Sequence, residues 1–131
     1  MIKEAIFARL SADAGVTALC AGRIYPGLRD QGSGLPAVVY HLISAPRRRT
    51  LQGRTIMTFA RVQVDCWGDD EDAADQLGKA VKAALEGARF DHGGARVRGV
   101  FLIDEADGAG TGDGTVPFRT RLDFRVSLIP A

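Results

Sequence analysis

From Ala60 the chain alternates, with Ala60, Val62, Val64 and Cys66 on one side and Arg61, Gln63 and Asp65 on the other. A period of two marks a strand with one buried face, and it predicts a strand over residues 56–67. After Gly68-Asp69-Asp70 the period lengthens: Ala73, Ala74, Leu77, Ala80, Val81, Ala84 and Leu85 form one stripe of a helix over residues 70–86. Asp69 or Asp70 can accept hydrogen bonds from the free N–H groups of its first turn, Glu71 and Asp72 suit the positive end of its dipole, and Gly87 is placed to end it in a left-handed conformation.

The same patterns place the other elements. Ile2, Ala5, Ile6 and Leu10 repeat at helical spacing, so residues 2–11 form a short amphipathic helix. Asp13 caps a second helical segment that carries Val16 and Leu19 and stops at Gly22. Residues 23–26 are extended, because Pro26 biases Tyr25 toward that geometry. Residues 27–35 hold three glycines and form a loop. Residues 37–45 form a strand that is mostly apolar on both faces, as in an enclosed position of a sheet, and Pro46 ends it. Residues 46–55 then make a connection longer than a minimal hairpin needs, expected to project as an arm.

Beyond the long helix, residues 89–94 form a turn and 97–103 a compact apolar strand. Residues 104–115, with the four acids Asp104, Glu105, Asp107 and Asp113 among glycines, read as a mobile acidic loop. The last strand, 117–129, turns Phe118, Thr120, Leu122, Phe124, Val126 and Leu128 one way and Arg119, Arg121, Asp123, Arg125 and Ser127 the other. The expectation is one α+β domain over residues 1–131. It has a mostly antiparallel sheet of about four strands, with one long helix and a short N-terminal helical region packed on one face.

Composition narrows the function. At 131 residues, 25% charged and 46% hydrophobic, the chain has the make-up of an ordinary globular domain. A net charge of +1 argues against a protein whose main task is coating nucleic acid. The N-terminal residues lack a signal-peptide apolar run and no segment is long enough to span a bilayer, which points to the cytosol and no membrane partner. In that compartment Cys20 and Cys66 are expected as buried free thiols.

Catalysis needs convergent groups, and two histidines, His41 in a strand and His92 in a Gly-rich turn, do not supply them by spacing. Ser33 lacks the flanking glycines of a nucleophile elbow. In the acidic loop Ala106 stands where a calcium loop needs an oxygen ligand, and the cysteines and histidines have no zinc spacing. No catalytic, cofactor or metal residue is therefore assigned. The strongest positive feature is the arm, with Arg47, Arg48, Arg49 and Arg54 within eight positions. Guanidinium forks suit phosphates and carboxylates alike. The arm can bind nucleic acid, meet the Asp104–Asp113 loop of a neighbouring copy head to tail, or merely be solvated. The outward faces Arg61/Gln63/Asp65 and Arg119/Arg121/Asp123/Arg125 are either solvated sheet or a polar subunit interface.

Several short stretches, in this order and spacing, resemble the tail-completion or tail-terminator proteins of phages and prophages. They are Leu10-Ser11-Ala12-Asp13-Ala14-Gly15-Val16-Thr17-Ala18-Leu19 with Gly22-Arg23-Ile24-Tyr25-Pro26; Leu35-Pro36-Ala37-Val38-Val39-Tyr40; Val62-Gln63-Val64-Asp65-Cys66-Trp67 leading to Ala73 and Ala74; and Asp123-Phe124. The resemblance implies a non-enzymatic structural subunit, assembled in the bacterial host cytoplasm and carried in the virion tail. It implies a homo-oligomeric ring, commonly a hexamer, that ends the tail tube and joins it to the head-completion proteins. The tail-tube protein, the head-completion protein and further copies of the chain are then its partners, and DNA is only passing cargo. The family has no active-site residues to carry across. The interface candidates are Arg47, Arg48, Arg49 and Arg54 on the arm and Asp104, Glu105, Asp107 and Asp113 opposite; the rival is a small nucleic-acid-binding module using residues 46–55.

Overall fold

The computed structural model describes residues 2–27, 34–53, 55–109 and 118–130. Three helices cover one face of a mixed, curled sheet. Helix α1 (Ile2–Ala12) buries Ala5, Ile6 and Leu10. Asp13 then accepts a hydrogen bond from the Val16 N–H at 3.0 Å, satisfying a free donor at the start of α2 (Ala14–Cys20). That helix ends at Ala21 and Gly22, both with positive φ. Its buried pair is Val16 and Cys20, one turn apart, while Leu19 is exposed.

The strands are β1 (Ile24–Pro26), β2 (Ala37–Ser44), β3 (Arg47–Arg49), β4 (Thr55–Gly68), β5 (Phe90–His92), β6 (Ala95–Ala109) and β7 (Phe118–Pro130), with α3 (Glu71–Leu85) between β4 and β5. Their order across the sheet is β1-β2-β4-β7-β6-β5, and β3 pairs with β4. Only β1 and β2 run parallel among the described pairings; the others are antiparallel. Asp70 caps α3, its Oδ1 accepting from the Ala73 N–H at 2.7 Å, and Gly87 follows the helix at φ 75°. The helix buries Ala74, Leu77, Gly78, Val81, Ala84 and Leu85. Of these, Leu77, Val81, Ala84 and Leu85 share one core with the inward residues Val62, Val64 and Cys66 of β4 and Leu122, Phe124 and Val126 of β7.

The sheet is larger than the four strands expected, and three local reasons account for it. Residues 89–94 contain a strand as well as a turn, because Phe90–His92 pairs with Val97–Ala95 around Gly93. Residues 104–109 are not loop: β6 stays in register with β7 from Asp104↔Asp123 to Ala109↔Phe118, so β7 supplies backbone partners that override an acidic, Gly-rich composition. Residues 110–117 lie outside the described residues. The arm, third, is itself paired: Arg47, Arg48 and Arg49 lie opposite Thr58, Met57 and Thr55. β7 first pairs with β4 at Thr58, so Met57 and Thr55 pair with β3 and not with β7 among the described pairings, and Leu51 at the turn is fully exposed. Strand β2 is enclosed only over Ala37–Tyr40; Leu42 and Ile43 beyond it are exposed.

Candidate subunit interface

Odd-numbered residues of β4 and β7 form the sheet face without helices, and the register fixes who faces whom. Trp67 lies across from Arg119, Asp65 from Arg121, Gln63 from Asp123, Arg61 from Arg125 and Phe59 from Ser127. Asp65 is the buried member, only 4% exposed. The Gln63 amide donates to both of its carboxylate oxygens at 3.1 and 3.2 Å, and His41 Nε2 lies 3.5 Å away. A buried carboxylate needs such partners. His41 and Gln63 therefore keep Asp65 satisfied, and the described contacts bring no nucleophile to this pair. On the opposite side of the strand, burial foremost and then the charge of Asp65 push the Cys66 thiol well above its ordinary range. Cys20 and Cys66 are both free and buried.

The arginines gather around aromatic rings. Arg48 and Arg125 both lie over Phe59, at 5.1 and 4.5 Å from its centroid, and Arg119 lies 5.5 Å from that of Trp67. A cation is attracted to the negative face of such a ring. Arg119 Nε is buried without a hydrogen-bond partner, so the indole is its main compensation. Among the described residues Arg48, Arg61, Arg119, Arg121 and Arg125 have no carboxylate within ion-pair distance, whereas His41–Asp65, Lys82–Glu105 and Arg98–Asp91 do pair. Phe101, the cross-strand neighbour of Arg125, is half exposed and lies over Gly99.

The predicted interface residues divide accordingly. Arg47, Arg48 and Arg49 are all exposed on β3, and Arg48 joins Arg61 and Arg125 on the open face. Arg54 and Asp113 lie outside the described residues. The acids do not form one cluster, because neighbours on a strand face opposite ways. Asp104 stands across from Asp123 on the open face, while Glu105 is on the helix side, 3.2 Å from Lys82 Nζ. Asp107 lines a cleft of about 230 Å³ with Glu71 and Asp75 of α3 and Phe118, Arg119 and Thr120 of β7. Thr120 donates to Asp75 there at 3.3 Å. In the sequence Asp69 or Asp70 reads as the helix cap, and Glu71 and Asp72 as charge that suits the helix dipole. All four are exposed, and Asp69, Glu71 and Asp72 make no side-chain hydrogen bond or ion pair among the described residues. The run of four acids was the signal for a second, acidic surface.

Among the described residues no group of three or more His, Cys, Asp or Glu is placed to hold a metal ion, and no helix is long and apolar enough to cross a membrane. The helix-free face of the curled sheet is lined with charged and aromatic side chains. The profile of the tail completion protein gp17 family matches residues 4–128, and the chain belongs to that family of phage tail structural proteins. Among solved structures, a chain of the virion of a native gene transfer agent particle superimposes with a TM-score of 0.69 at 19% identity, covering 96% of this chain and 92% of that one. A second solved chain gives 0.59 at 20% identity, covering 95% and 92%. At these identities the likeness is one of fold. No curated protein matches the sequence.

Proposed function

We propose that this chain is a non-enzymatic tail-terminator subunit: copies close into a ring at the end of the tail tube and offer the head-completion proteins a surface to join. Membership of the tail completion family over residues 4–128 carries the reading. The geometry adds that Arg48, Arg61 and Arg125 are exposed with no carboxylate within ion-pair distance among the described residues, as suits a surface that meets another molecule. The projecting hairpin with Arg47, Arg48 and Arg49 is the part of the fold best placed to reach a neighbour or the tube. Assembly takes place in the host cytoplasm and the product is part of the virion tail.

The arginines over Phe59 also favour a second reading, a small nucleic-acid-binding module, since guanidinium groups and aromatic rings together suit single strands. Passing DNA argues for the first: each neutralised phosphate adds counterion-release affinity, which slows a genome moving through the ring. The substitution Arg47→Glu/Arg48→Glu/Arg49→Glu tests the arm. The variant is expected to keep its circular dichroism and urea midpoint while joined particles, counted by electron microscopy after complementation, fall at least tenfold. Normal joining by the variant removes the arm from the mechanism.

A further inference from the structure

At one end of the open face Arg61 stands directly across from Arg125, and Arg48 shares the Phe59 ring with Arg125. Like charges opposite one another on paired strands destabilise a sheet, and one phenyl ring offsets only part of that repulsion. Arg48, Arg61 and Arg125 are all exposed, so the cluster is open to a partner with carboxylates. At the other end of β4 the chain carries the reverse: Asp69, Glu71 and Asp72, exposed and without a cation within ion-pair distance among the described residues. Seven residues of strand, Val62 to Gly68, separate Arg61 from Asp69, roughly 25 Å, and α3 packs on the side of the sheet away from Arg48, Arg61 and Arg125. The two patches therefore cannot neutralise one another within a subunit.

We propose that Arg48, Arg61 and Arg125 of one subunit receive the acidic start of α3, Asp69, Glu71 and Asp72, of a second copy of this chain. The inference rests on the ring reading above and names its seam. Because the two surfaces differ, the contact is head to tail, and it propagates from copy to copy until the ring closes. The acidic element of the seam is the beginning of the helix; Glu105 is already held by Lys82 and Asp104 faces Asp123. Guanidinium-to-carboxylate contacts across the seam make it sensitive to salt.

A charge exchange tests it with two variants, Arg61→Glu/Arg125→Glu and Glu71→Lys/Asp72→Lys. All four positions are exposed, and the Asp70 cap is retained in both. Urea titrations establish that each variant is folded. By light scattering at low salt, each variant alone is expected to need at least tenfold more protein than the wild type to assemble. An equimolar mixture regains the wild-type mass, because the reversed face then meets the reversed helix and the intact face meets the intact helix. Wild-type assembly by either variant alone, or a mixture that stays monomeric, overturns the seam and leaves the ring reading standing. A wild-type chain that is monomeric at every salt and protein concentration overturns both. Salt-steep retardation of duplex DNA, lost in the arginine variant while assembly is kept, assigns the face to phosphate and overturns the seam.

Discussion

Asp65 and Cys66 are neighbours on β4 that face opposite sides of the sheet, and both are almost fully buried. The alternating pattern predicted the side each would take, and it correctly placed Cys66 in the core. It did not predict that Asp65 would be buried. A period of two says which face a residue is on, while the cover over that face comes from Gln63, His41 and Val39, whose positions depend on strand pairing. Cys66 carries a prediction about pH. In the unfolded chain its thiol ionises near its ordinary value of 9.0, whereas in the fold burial keeps it protonated. Above that pH the folded state holds a proton that the unfolded state has released. The stabilising contribution is complete below about pH 9 and is lost as pH rises, with a slope near 1.4 kcal/mol per pH unit. Urea unfolding between pH 8 and 10.5 should show this fall, and Cys66→Ala should flatten it; equal slopes in the two proteins would assign the fall to other groups.

Among the elements, the junction of β4 with α3 was the most legible, because capping and periodicity agree there. Asp70 caps its start as expected; at its end the extended Glu86 is the cap, and Gly87 has the expected positive φ but donates its N–H to Val100 O of β6 at 2.7 Å, while the buried stripe differs only in detail. One detail is the close approach of helix to strand at Gly68, where an added Cβ would lie 2.5 Å from the Ala74 backbone nitrogen. Backbone cannot yield as a side chain does, so Gly68→Ala is expected to cost about 1–3 kcal/mol by overpacking. A urea midpoint equal to that of the wild type would show that the helix can move aside. Strand β6 was the least legible. Its acids and glycines have the composition of a loop, and only pairing with β7 extends it to Ala109. The short strands β3 and β5 were hidden for the same reason, each depending on a partner elsewhere in the chain.

For the whole molecule, the order of short stretches from Leu10 to Phe124 resembled the tail completion proteins, and the match over residues 4–128 places the chain in that family. The arginines of the arm were visible as a run, but their company was not. Arg48 shares the Phe59 ring with Arg125, and Arg125 lies across from Arg61, only because β3, β4 and β7 lie side by side. Of the acids expected in one loop, Asp104, Glu105 and Asp107 are divided between two faces of β6, which directs the proposed seam to the acidic start of α3. The proposed head-to-tail contact between a basic face and an acidic helix start predicts a discrete assembly that weakens with ionic strength. The most direct measurement is the mass of the purified wild-type chain, by light scattering after size exclusion, over a concentration series at low and high salt. A single closed oligomer near six subunits that dissociates in high salt is the predicted result, and a monomer under all of these conditions would contradict the account.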